Sequence, residues 1–248
     1  MRRPGRVKSG PANGRMNGAA LIESLVSLSL SFFIVLACLE FLGIARTGFV
    51  RLRTTQETRN AARAGLDKMR TDIDDAGRGI LEPVLMGIVD AIRVSDTRLT
   101  VSLAEEELRV ARSLAAGETL IPADTSSWLK KGRDVCFFGP QGGETRTIEA
   151  VAPDSIRLST PLVLSYPLGK ARALVLKRIA FYLDETTGIL RRKVNSSPAQ
   201  PLVEDVSSFR FEYDSLPNRV LLFLTLKGEV GPFSELLFPK NLGLASRQ

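Results

Sequence analysis

Residues 16–43 read MNGAALIESLVSLSLSFFIVLACLEFLG, a long apolar run with an acid, Glu23, a few residues inside its leading edge. A helix rises about 1.5 Å per residue and a bilayer core is about 30 Å thick, so a span of about 20 residues from Ala20 to Leu39 fills it. Glu40 then falls at the far interface, where it reaches water by snorkelling. Glu23 stays about 6 Å inside the near edge if the helix begins at Ala19. A carboxylate at a membrane centre costs about 2.5–3.5 kcal/mol on insertion scales. An anchor gains nothing from it, so Glu23 calls for a partner or a purpose.

The residues before the run sharpen the point. MRRPGRVKSGPANGRMNG carries Arg2, Arg3, Arg6, Lys8 and Arg15 and no acid, and its Pro and Gly residues argue against a stable helix. Positive charge ahead of a first span keeps that end in the cytoplasm, which places the larger part of the chain across the membrane. A secretory signal would put a small-residue cleavage site after the apolar region. Here ACLEFLGIARTG offers no A-x-A site, whereas Gly18 stands immediately before the run.

A basic leader ending in Gly, followed by an apolar helix with Glu as its fifth residue, resembles the class III signal of type IV pilins and type II secretion pseudopilins. The resemblance implies that Gly18 is the last leader residue and that Ala19 becomes the mature amino terminus. A prepilin peptidase would cut between them and methylate the new amine. Glu23 would be the fifth-position acid, which in the family's mechanism neutralises the terminal amine of a neighbouring subunit during assembly. Ala19 and Ala20 stand where the family more often has Phe and Thr.

Composition narrows the remaining choices. Five of the 34 basic side chains lie before Gly18, leaving 29 against 27 acidic ones, so the formal +7 belongs mostly to the leader. The remaining Lys and Arg are dispersed with few aromatics between them, which argues against direct nucleic-acid binding. Histidine is absent, removing the usual general base and the commonest metal ligand together. The two cysteines, Cys38 in the span and Cys136 far downstream, are too differently placed to pair. Cys136, between Val135 and Phe137, reads as a small buried hydrophobe.

Beyond the span, Leu52, Thr55, Arg59, Ala62, Leu66, Met69, Ile73 and Ala76 recur at spacings of three and four, one stripe of a helix interrupted only by Arg59. No Pro occurs between Pro11 and Pro83. One helix from about Ala19 to Ala76 is therefore expected, ending at Gly77 and Gly79. The period then changes to two. IRVSDTRLTVSL reads as a hairpin turning at Ser95 to Arg98, and DVCFFGPQGGETRTIEAV as another with a glycine turn. SIRLSTPLVL, ARALVLKRIAFYLDETTGILRRKV, SSFRFEYD and RVLLFLTLKG continue the strand pattern, with Phe209, Phe211 and Tyr213 on one face and Arg210 and Glu212 on the other. The expected class is α+β, a long amino-terminal helix packed on an antiparallel β-rich domain.

Two further stretches resemble the PilW-like minor pilins and the J-type minor pseudopilins. QETRNAARAGLDKMRTDIDDAGRG is similar to their helix with its D-I-x-x-A-G ending, carried by Asp72, Ile73, Ala76 and Gly77. FYLDETTGILRRKVNSSPAQPLVEDVSSFRFEYD is similar to their late hairpin through Gly188, Leu190, Arg191, Gln200, Pro201, Leu202, Val206 and Phe211, and GPFSELLFPKNL to their ending. The boundaries that follow are a leader at 1–18, a transmembrane assembly half of the helix at 19–45, an amphipathic half at 46–78 and a β-rich periplasmic domain at 79–248.

Other motifs fall short. DIDDAGRGILEP from Asp72 matches a calcium loop at its first, third and sixth positions and fails at Ala76 and Pro83. Ser127 and Lys130 form an isolated S-x-x-K. GPQGGETR lacks the Lys and Ser/Thr of a phosphate loop and reads as a turn, as does the acidic run Glu105 to Glu107. The expected function is a minor pilin that takes part in initiating or capping a type IV pilus, without catalytic residues, metal or cofactor. Its implied partners are the prepilin peptidase, other minor pilins, the major pilin and the inner membrane. The alternatives are a J-type minor pseudopilin of a type II secretion system and, from another class, a membrane-anchored exported enzyme.

Overall fold

The structure is a computed structural model that describes residues 20–95, 97–124, 129–229 and 231–242, with helical backbone from Met16. The processing pair Gly18 and Ala19, the leader and Ser127 lie outside the described residues. The chain divides into two compact units, Met1–Glu57 and Thr58–Gln248.

The first unit is the leading part of α1 (Met16–Asp74), which is unbroken because no proline interrupts it. Its large apolar side chains from Leu21 to Leu52 are exposed in the isolated chain, on every side of the helix. A helix apolar all round is suited to an apolar surround rather than to a single packing face.

The second unit holds the last turns of α1 and an antiparallel β-rich domain, an α+β layout as expected. After a short helix α2 (Leu81–Leu85) come β1 (Ile92–Ser95), β2 (Arg98–Leu108), β3 (Leu120–Pro122), β4 (Asp134–Gly139), β5 (Gly142–Ala152), β6 (Ser155–Leu158) and β7 (Arg172–Asp184). Then follow β8 (Ile189–Val194), β9 (Gln200–Val203), β10 (Val206–Asp214), β11 (Arg219–Leu226) and β12 (Phe233–Leu237). The larger sheet runs β1-β2-β7-β4-β5-β6-β3, with β8 and β9 added beside β7, and the smaller sheet runs β10-β11-β12. The hairpin turns fall where turn chemistry puts them. Ser95 faces Arg98 and Gly139 faces Gly142 across the two tight connections.

Ala62, Leu66, Met69, Ile73 and Ala76 are buried in one core with Leu99, Val101, Ile179 and Phe181 of the larger sheet and Val220, Leu222 and Leu224 of the smaller one. Burial of the stripe starts at Ala62. Leu52, Thr55 and Arg59 are exposed, and Arg59 reaches Glu229 with its guanidinium at 2.6 and 2.8 Å. The helix ends at Asp74, two residues before the expected Ala76, because Gly77 takes a positive φ of 78° and donates its N–H to Ser102 O at 2.9 Å. Gly65 sits where β9 crosses the helix, and a Cβ there would collide with Val203.

One expectation needs correction. The run Glu105 to Glu107 belongs to β2 and not to a turn. Glu105 sits at an irregularity in the β2–β7 register, and Glu105 and Glu107 pair with Arg133 and Arg172, which lets a charged segment stay extended. Strands β3 and β9, of three and four residues, lie outside the stretches read as strands from alternation alone.

A second core lies under β3 to β6, where Ile121, Val135, Phe137, Ile148 and Ile156 are buried together. Strand β7 serves both cores, with Ala173 and Val175 in this one and Ile179 and Phe181 in the first.

Candidate functional site

Within the first unit, α1 is long and apolar enough to cross a membrane by length and composition. Three of its serine hydroxyls are satisfied internally. Ser24 donates to Leu21 O at 3.0 Å, Ser29 to Leu25 O at 2.8 Å and Ser31 to Ser27 O at 2.8 Å. Such back-bonding removes most of the cost of placing a hydroxyl in an apolar surround.

Glu23 has no such arrangement. It is exposed, and among the described residues no side chain pairs with it. The next Lys or Arg along the helix is Arg46, about 34 Å away at helical rise. A cation for Glu23 must therefore come from the amino-terminal side of the helix or from another molecule. The structure leaves Glu23 without a partner along its own helix and does not describe Gly18 or Ala19, so the three sequence-derived site residues are not brought together as a constructed site.

In the second unit, the best-satisfied buried acid is structural. Glu144 accepts from Val163 N at 3.0 Å, Leu164 N at 2.9 Å and Tyr166 Oη at 3.1 Å, and it also pairs with Arg146. Burial and the Glu144 charge push the Tyr166 phenol far above its ordinary value. The Tyr166 phenol therefore stays protonated near neutrality and serves as a hydrogen-bond donor to Glu144. Cys136 is fully buried, and burial pushes its thiol up to about 11, which suits packing and not nucleophilic attack. Asp72, first residue of the calcium-like run, is held by Arg192 at 2.6 and 3.1 Å, tying the helix end to β8.

Sequence reasoning missed a polar groove of about 640 Å³ on the larger sheet, bordered by the start of β1 and the end of β8. Arg178 of β7 pairs with Asp134 of β4 at 2.7 Å, and its backbone N–H donates to Asn195 Oδ1 at 2.7 Å. Asn195 adopts a left-handed φ of 50°, and its Nδ2 is buried with no hydrogen-bond partner. Arg98 lies 4.9 Å over the Tyr182 ring. These residues come from strands distant in sequence, so no local motif announces them. The positive φ after β8 is the one sequence-level hint, because Asn tolerates that conformation.

Comparison with known proteins adds little. No family model matches the chain, and no curated protein matches it. Among solved structures, the Gp54 tailspike of Acinetobacter baumannii bacteriophage AP22, in complex with A. baumannii capsular saccharide, aligns at a TM-score of 0.27 and 11% identity. The match covers 31% of this chain and 15% of that one, a likeness too slight to carry an argument.

Proposed function

We propose that the chain is a minor pilin that takes part in initiating or capping a type IV pilus and has no catalytic step of its own. The observation that carries this reading is Glu23, an acid near the leading edge of a helix apolar on every side, with no cation within about 34 Å downstream along that helix. Opposite charges attract far more strongly in a low-dielectric surround than in water, so the amine of an adjacent subunit, exposed by cleavage before Ala19, is the partner that fits. The leader charge supports an inner-membrane anchor with the β-rich unit on the periplasmic side. The second unit fits an end position, being large and built from two dissimilar sheets.

Processing tests the reading directly. Mass spectrometry of the membrane-extracted protein is expected to find a mature chain beginning at methylated Ala19, and Gly18→Val is expected to accumulate the precursor. A mature amino terminus near Gly43 would overturn the assignment.

A further inference from the structure

The groove on the larger sheet has a lining unlike a peptide or nucleotide site. Arg93, Arg98, Arg178 and Lys193 face only Asp90 and Asp134 as described counter-charges. Arg93 is held by Asp90 at 2.8 Å and Arg178 by Asp134 at 2.7 Å, whereas Lys193 makes no ion pair among the described residues. The groove thus carries surplus positive charge. The hydroxyls of Thr100 and Ser196 line the same space, that of Ser95 donates to Arg98 O at 3.2 Å, and Asn195 Nδ2 and Thr145 Oγ1 are buried without a partner. Asn195 Oδ1 accepts from Arg178 N, which fixes the amide beside the groove.

Apolar lining is confined to Ile88, Val89 and Ala180. Ordinary ligand pockets of this size are mostly apolar, and a peptide would need apolar recesses for its side chains. Stacked bases would need free aromatic faces, and no aromatic side chain lines the groove among the described residues. A ligand dense in hydroxyls and carrying a negative charge matches all of these features. We propose that this groove binds an acidic saccharide, with a sugar carboxylate taken by Lys193 and ring hydroxyls taken by the side chains of Thr100 and Ser196.

The test is titration of the full-length protein in detergent with trigalacturonate, beside maltotriose as a neutral trisaccharide, a hexaglutamate peptide and inorganic phosphate. Trigalacturonate is expected to bind at least about tenfold more tightly than each of the other three. Lys193→Ala removes the free cation at the surface, and Asn195→Asp keeps the acceptor for Arg178 N while turning the orphan donor into an anion. Each is expected to weaken trigalacturonate binding by about tenfold or more, with thermal melting of Lys193→Ala unchanged. Equal affinity for maltotriose would overturn the carboxylate role, and equal affinity for hexaglutamate or phosphate would reduce the groove to a charge patch and overturn the saccharide. Undiminished binding by Lys193→Ala would overturn the site. None of these outcomes bears on processing at Ala19, so the two proposals fail separately.

Discussion

Cys136 sits opposite Thr145 with no exposed surface, and burial holds its thiol protonated up to about 11. The unfolded chain ionises the same thiol from about pH 8.5. Over that window the folded state binds more protons, so stability falls as pH rises from the unfolded value towards the folded one. The denaturation midpoint of the wild type is expected to drop more steeply over this range than that of Cys136→Ala, as followed by urea melts at stepped pH. Glu23 presents the reverse situation, an ionisable group on a surface meant for apolar contact. Were the helix only an anchor, Glu23→Val would remove an insertion cost of about 2.5–3.5 kcal/mol and improve function. Under the assembly reading, the variant is processed and inserted at normal abundance, while crosslinking to companion pilins falls. A neighbour's amine left unpaired in an apolar surround typically costs about 3–5 kcal/mol. Asp72→Ala makes the same argument inside the domain. It strands the Arg192 guanidinium, only 12% exposed, and should cost about 3–5 kcal/mol in chemical denaturation.

At the level of elements, the last turns of α1 show how a helix is fitted to sheets. Leu66 is buried in the main core, so Leu66→Asp buries an unpaired charge and should destabilise by several kcal/mol, read as a lowered melting temperature. Its neighbour Gly65 breaks the rule that glycine weakens a helix, because Val203 occupies the space a Cβ would take. Gly65→Ala should therefore cost about 1–3 kcal/mol through overpacking, instead of gaining helix propensity. Here the sequence was legible in uneven degrees. The buried stripe, the helix stop at Gly77 and the long hairpins carry periodicity or turn residues over enough positions to be read. The short strands β3 and β9 carry neither, and they exist because partners already in place supply their hydrogen bonds. Glu105 to Glu107 misled because charge usually marks a turn, whereas Arg133 and Arg172 arrive from other strands to neutralise it. The polar groove was invisible for the same reason, since Asn195, Arg178 and Asp134 meet only after three strands pair.

At the level of the molecule, the division before Thr58 separates an apolar helix from a unit that contains both buried cores. A fragment of residues 58–248 retains Ala62, Leu66, Met69 and Ile73 and should melt in one cooperative transition with a β-rich spectrum. A fragment beginning at Gly79 lacks that stripe, leaves the sheets' apolar faces open and should aggregate. The place of β7 in the larger sheet has a further consequence, one of timing. Strands β2 and β4 do not touch each other; each pairs with β7, which lies between them in space and after both in sequence. During synthesis, the early hairpins must wait for a strand whose last residue is Asp184 before either can join a common sheet. Such distant pairings fold slowly and leave edges open meanwhile. A chain delivered amino end first thus presents its apolar helix long before its domain can close, and stays slack enough to be threaded through a narrow passage until β7 emerges.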